Sequence, residues 1–139
     1  MKKKKIVTAA FSAIVLGTVL KPSSVFAAKD HWGFGFQILG YQENSRSSPR
    51  HRGTSNYKTS WFVAMTNSNE NGSGTFTNFW LEIRNRKNVS DYVSVKEGGG
   101  EYKREAYSDA CKTDVYLTAE NNNYNGEIYD VSGIWDEEY

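Results

Sequence analysis

The stretch Gly74-Thr75-Phe76-Thr77-Asn78-Phe79-Trp80-Leu81-Glu82-Ile83 decides the fold. Successive side chains of an extended chain point to opposite faces, so Thr75, Thr77, Phe79, Leu81 and Ile83 share one face and Phe76 and Trp80 the other. This is the period of a strand, and the strand carries large aromatics on both sides. After residue 30 the chain shows no sustained 3.6-residue apolar period, and alternation recurs instead.

Working outward, Trp61, Val63 and Met65 alternate upstream, and Trp32, Phe34, Phe36 and Ile38 alternate further back, with Gly33 and Gly35 between them. Downstream, Val93 and Val95 mark a short strand. Val115, Leu117 and Ala119 mark another, with Tyr116 across. Tyr129, Val131, Gly133 and Trp135 form the last. Asn71-Gly72 and Asn125-Gly126 are signals for tight hairpin turns, whose central residues must accept positive φ. They predict a hairpin of 57–67 with 74–85 and a second of 112–119 with 127–135. The segment 101–109, EYKREAYSD, permits a short helix or an edge strand, and the polar stretch 42–56 reads as the largest loop. The fold class is therefore all-β: a small antiparallel β-sandwich or flattened barrel of six to seven strands.

A different physical pattern precedes this domain. Lys2 to Lys5 form a positive cluster, the 15 residues Ile6–Leu20 are almost wholly apolar, and Lys21-Pro22 ends the run. Small residues then follow, and Val25 with Ala27 satisfies the −3 and −1 preferences of signal peptidase. A helical secretory signal over 1–27 is expected, with cleavage after Ala27, or after Ala28 as second choice, leaving one domain over 28–139. The run is shorter than the roughly 20 residues a membrane span requires. Localisation is expected to be extracellular or on the cell wall.

Removing the signal changes the charge. The whole chain has 17 basic and 16 acidic residues. Five of the basic ones, Lys2 to Lys5 and Lys21, leave with the signal, so the mature domain carries −4. Lys29–Lys87 holds +4 and Asn88–Tyr139 holds −8, an asymmetry that suits head-to-tail association or a basic face for anionic surfaces. The single Cys111 rules out an internal disulfide, leaving stability to the core and the thiol either buried or paired with another chain.

Few residues invite chemistry. Arg46, Arg50, His51, Arg52 and Lys58 make a candidate anion-binding loop, because guanidinium forks match phosphate and carboxylate. Teichoic acid or anionic lipid would be the polyanion; an acidic exported domain without a recognition motif is a poor nucleic-acid binder. Eighteen aromatics remain after Phe11 and Phe26 leave with the signal, more than one buried face needs. Phe76, Trp80, Tyr116 and Trp135 are therefore candidate exposed aromatics for stacking on sugars, a membrane interface or a partner.

Metal and catalysis are read as absent. The runs Asn67–Gly72 and Asn121–Gly126 copy the first half of an EF-hand loop, but their twelfth positions, Asn78 and Ser132, lack the closing acid, and strands flank them. Only His31 and His51 occur, with no GxSxG, HExxH or CxxC, and Asp136, Glu137 and Glu138 read as solvated. No cofactor is implied.

The segments QENSR (42–46), SGTFTNFWLE (73–82), VYLTAENNNYN (115–125) and VSGIWDEE (131–138) resemble, in order and spacing, a family of small secreted proteins of Bacillus-type bacteria known as domain of unknown function 2712. The resemblance implies a signal peptide and a compact secreted domain, and carries no activity, cofactor or catalytic residue. In size, signal and aromatic β character the chain is also loosely similar to lactococcin-972-type bacteriocins, without a shared motif. The expected function is a secreted, non-catalytic domain binding a cell-envelope component or a protein. A bacteriocin-like toxin or its accessory is the alternative, and a wall-glycan hydrolase a third.

Overall fold

A computed structural model of the chain describes residues 31–72 and 74–139. The expected signal helix and the cleavage positions Ala27 and Ala28 lie outside the described residues. Within them are nine strands: β1 (Trp32–Ile38), β2 (Ser45–Arg46), β3 (Arg50–Arg52), β4 (Ser60–Ser68), β5 (Phe76–Glu82), β6 (Val93–Lys96), β7 (Tyr102–Glu105), β8 (Thr113–Asn121) and β9 (Tyr129–Asp136). They form two antiparallel sheets, one in the order β1-β9-β4-β7 and the other in the order β2-β8-β5-β6, with β3 joining β2 along the same edge of β8. The sheets do not close into a barrel. The sandwich is thus observed and the flattened barrel is not.

The inward alternation was legible in the sequence, and it builds the core. Trp61, Val63 and Met65 of β4 face Phe79 and Leu81 of β5 and Leu117 of β8 in one apolar cluster. The outer faces are also covered. Phe62 lies edge-on to the rings of His31 and Tyr139, with centroids 5.0 Å away in each case. Gly133 permits a close crossing: a Cβ there would lie 2.0 Å from the Ala64 carbonyl oxygen and 2.9 Å from the Phe34 ring. A break in β4–β9 register between Met65 and Asn67 follows directly.

Both hairpin expectations fail. β4 and β5 lie in opposite sheets, as do β8 and β9. Each connection, 69–75 and 122–128, is seven residues long, long enough to arch from one layer to the other, whereas the two-residue turn that Asn-Gly favours would keep both strands in one sheet. Gly72 does take a positive φ of 117°, but Asn71, Asn125 and Gly126 are not among the positive-φ residues.

The polar stretch 42–56 is another correction. It contains β2 and β3, interrupted at Pro49, which cannot donate to a ladder. Ser47 bridges the gap: its backbone N–H donates to the Leu117 carbonyl (2.9 Å), and its hydroxyl accepts from the Leu117 N–H (3.0 Å). The ambiguous 101–109 segment supplies β7 as an edge strand and a single 3-10 turn at Ser108–Ala110. Cys111 is half-buried and free.

Candidate functional site

The two sheets part along one side, where the free edge of β1 faces the β2–β3 edge. The opening is a groove of about 360 Å³. Trp32, Phe34 and Phe36 form one wall with the bare Gly33 and Gly35; Arg46, Ser47, Ser48, Pro49 and Arg50 form the other; Trp135 closes the base. The glycines matter because they keep the β1 wall low without taking up groove volume. Phe34 is held in the core, Phe36 is half-buried, and Trp32 is 43% exposed at the rim.

Arg50 defines the mouth. Its guanidinium lies over the Trp32 ring, 3.6 Å from the centroid. Its Nε donates to Glu137 Oε2 at 2.7 Å, and among the described residues nothing accepts from Nη1 or Nη2. An aromatic face, a fixed cation with spare donors and two serine hydroxyls thus converge on one groove, a lining that can stack on a ring and hydrogen-bond hydroxyl or acidic groups beside it.

The other residues of the expected anion-binding loop are built into the fold. Arg46 makes an ion pair with Glu82 through Nε (2.7 Å) and Nη2, donates to the Ile83 carbonyl (3.0 Å), and lies over Tyr116. His51 meets the Asp114 carboxylate at 2.9 Å on the exposed surface. Arg52 is wholly buried, donating to the carbonyls of Glu137 and of Thr59 (2.5 Å). Burial pulls its guanidinium below the ordinary value, opposed by the nearby charges of Glu138, Glu137 and Asp136. Lys58 lies exposed in a turn, apart from the groove lining.

The C-terminal acids, which read as solvated, are therefore not. Asp136 and Glu137 are buried, and Glu138 accepts from the backbone N–H of Thr54 at 2.7 Å. Arg50 and Lys87 of the basic first half thus pair with Glu137 and Asp109 of the acidic second half, while Arg46 pairs with Glu82 within the first.

The exposed-aromatic expectation needs the same revision. Trp80 is 5% and Trp135 2% exposed. Trp80 is buried on the outer face of its sheet, where its indole N–H donates to Glu82 Oε1 at 3.1 Å. Tyr116 is half-buried beneath Arg46. Only Phe76 among the four is exposed. The aromatics that do reach solvent include Trp32, Tyr92 and Tyr107. The two tyrosines border a second hollow of about 300 Å³ with Asn44, Asp91 and Glu120, where Asp91 already occupies the Tyr107 hydroxyl. From the sequence Trp32 was read only as sharing one strand face with Phe34, Phe36 and Ile38, and it was not among the candidate exposed aromatics. Its position at the strand end, beside the apolar-to-glycine alternation, was the available signal that it sits at a rim.

Fold and groove together define a small two-sheet antiparallel β-sandwich domain with an aromatic, cationic groove between two sheet edges. No curated protein and no solved structure matches the chain. It belongs to the family described as a protein of unknown function, DUF2712, which matches residues 23–139.

Proposed function

We propose that the chain is an exported, non-catalytic binding domain that holds a hydroxyl-rich polymer of the cell envelope, a wall glycan, in the groove between β1 and β2–β3. The observation that carries this reading is the Arg50–Trp32 stack at the groove mouth, with no acceptor for either Nη group among the described residues. A sugar ring stacks its C–H face on an indole, and neighbouring hydroxyls accept from a guanidinium. Ser47 and Ser48 add hydroxyls along the same wall. Export rests on the basic-apolar-small pattern of residues 2–28. Among the described residues no helix is long and apolar enough to cross a membrane.

The test is co-sedimentation of the purified mature domain with insoluble wall glycan. Trp32→Ala should weaken binding roughly fivefold, about 1 kcal/mol of lost stacking. Lys58→Ala, outside the groove, should leave it unchanged. Absence of wild-type binding, or equal binding by Trp32→Ala, removes the proposal.

A further inference from the structure

The second hollow, on the outer face of the β2-β8-β5-β6 sheet, shares no residue with the groove between the sheets. Strand geometry assembles it. Trp80 pairs with Thr118 across β5–β8, and Asn78 pairs with Glu120, so Trp80 and Glu120 lie on one face. Ser90 is tied to the same strand, its hydroxyl accepting from the Leu81 N–H at 2.9 Å. A bridge between Ser90 and Ala106 then brings the next residues, Asp91 and Tyr107, side by side, and the Tyr107 hydroxyl donates to Asp91 Oδ1. Trp80 and Ser90 are buried, Glu120 is half-buried, and Asp91, Tyr92 and Tyr107 are exposed.

The hydrogen-bonding capacity of the lining is one-sided. Trp80 Nε1 donates to Glu82 Oε1 at 3.1 Å, and the Asn44 amide donates to the same oxygen at 3.5 Å. The Ser90 hydroxyl donates to the Asp91 carbonyl at 3.1 Å. With the Tyr107 hydroxyl also engaged, the side-chain donors are committed, those of Tyr92 and Asn88 excepted. The acceptors are not. Glu120 Oε1 takes the Asn78 amide at 3.3 Å, but Glu120 Oε2 and Asp91 Oδ2 accept from nothing among the described residues.

Charge and ring surface agree with that asymmetry. No Lys, Arg or His lines the hollow, and neither Asp91 nor Glu120 makes an ion pair among the described residues. Glu82, which takes the Trp80 N–H, is already matched by Arg46. Two unbalanced carboxylates remain. The polar atoms of Trp80 and Tyr107 are spent, so both offer ring carbon, and the negative face of an aromatic ring attracts a cation. A neutral sugar presents acceptors as well as donors and would find little here to donate to it. An ammonium group donates three times and accepts nothing. A metal ion would leave the ring surface unused, and no group of three His, Cys, Asp or Glu among the described residues could hold one.

We infer that this hollow binds a protonated primary amine, its charge toward Asp91 and Glu120 and its carbon frame against the rings of Trp80, Tyr92 and Tyr107. Exposed ion pairs and exposed cation–π contacts each contribute little, so the affinity is on the order of millimolar.

The experiment is NMR titration of the isotope-labelled mature domain with pentylamine, with pentanol, which has the same chain and no charge, and with glucose. Pentylamine should shift the Trp80 indole and the Asp91 and Tyr92 backbone signals, and the two neutral probes should not. Asp91→Asn combined with Glu120→Gln keeps an acceptor for the Tyr107 hydroxyl and for the Asn78 amide while removing both charges; it should weaken pentylamine binding roughly tenfold. Tyr92→Ala removes a ring that is 63% exposed, which leaves the core intact, and should weaken binding roughly threefold. If the double variant fails to fold, Tyr92→Ala decides. The inference is overturned if pentylamine shifts none of these signals, if pentanol or glucose shifts them as strongly, or if either variant binds pentylamine as wild type does.

Discussion

Arg46→Ala separates a structural arginine from a ligand-binding one. Glu82 is 1% exposed and accepts from Arg46 through Nε and Nη2, from Trp80 Nε1 at 3.1 Å and from Asn44 at 3.5 Å. Truncating Arg46 leaves an enclosed carboxylate with one good neutral donor and one long contact. Stranding one partner of a buried pair costs about 3–5 kcal/mol. Arg46 itself is partly exposed, so water reaches the vacated space and the cost falls near the lower end, about 3 kcal/mol. For a domain of this size that corresponds to roughly 12 °C in melting temperature. An exposed loop cation would lose less than about 0.5 kcal/mol. The assay is urea unfolding followed by tryptophan fluorescence, with the slope checked for constancy. Arg46→Met combined with Glu82→Gln should recover at least about 2 kcal/mol of the single-mutant loss, because it removes both charges together. A loss below about 1 kcal/mol for Arg46→Ala, or no recovery in the double variant, refutes the reasoning.

Three further outcomes follow from the same geometry. Gly133→Ala forces a methyl group to 2.0 Å from the Ala64 carbonyl and into the Phe34 ring; it should cost about 3 kcal/mol or more and show as loss of soluble protein or a collapsed urea midpoint. Burial raises the Tyr129 hydroxyl to about 12, aided by the charges of Glu70 and Glu127 and opposed by the Thr77 bond. The folded state therefore keeps a proton that the unfolded state loses near pH 10, so stability should fall by about 2–3 kcal/mol between pH 10 and 12, and Tyr129→Phe should flatten that decline. Burial, with Glu127's charge, also raises Glu70, so its contribution to stability falls as pH rises from the ordinary carboxylate value through its folded one; Glu70→Gln should lack this slope in urea midpoints measured from pH 4 to 8.

Strand positions were legible because inward alternation survives in every long strand: Trp61, Val63 and Met65 in β4, Phe79 and Leu81 in β5, and Val115, Leu117 and Ala119 in β8 are all core residues. Strand partners were not legible. Asn-Gly signals a change of direction, but it does not say whether the chain returns beside the same strand or arches to the other sheet. β2 and β3 were missed because Ser45, Arg46, Arg50 and Arg52 have no apolar alternation; their pairing is written in β8, which supplies the ladder. The groove was half legible. Arg46 and Arg50, read from the sequence as part of an anion-binding loop, line the groove, but only the partners Glu82 and Glu137, distant in sequence by 36 and 87 positions, decide how much of each guanidinium is left for a ligand.

The distribution of charge along the chain has a structural consequence for the groove. Arg50 and Arg52, on β3, are held by Glu137 and by carbonyls at the end of β9 and the start of β4, and Glu138 caps the backbone at Gly53 and Thr54. These contacts tie an edge strand of one sheet to the last residues of a strand in the other. They fix the wall that faces β1 without a disulfide, which a chain with one cysteine cannot close. The same contacts reduce the net basic surface that the residue count of the first half implies. A groove lined by arginines already engaged in this way is poorly suited to strong, salt-dependent capture of polyanions. It is better suited to modest, directional recognition in which Arg50 keeps its position and offers its spare donors. Binding to wall glycan should accordingly change little between low and moderate salt, whereas binding driven by a free basic loop would fall steeply over that range.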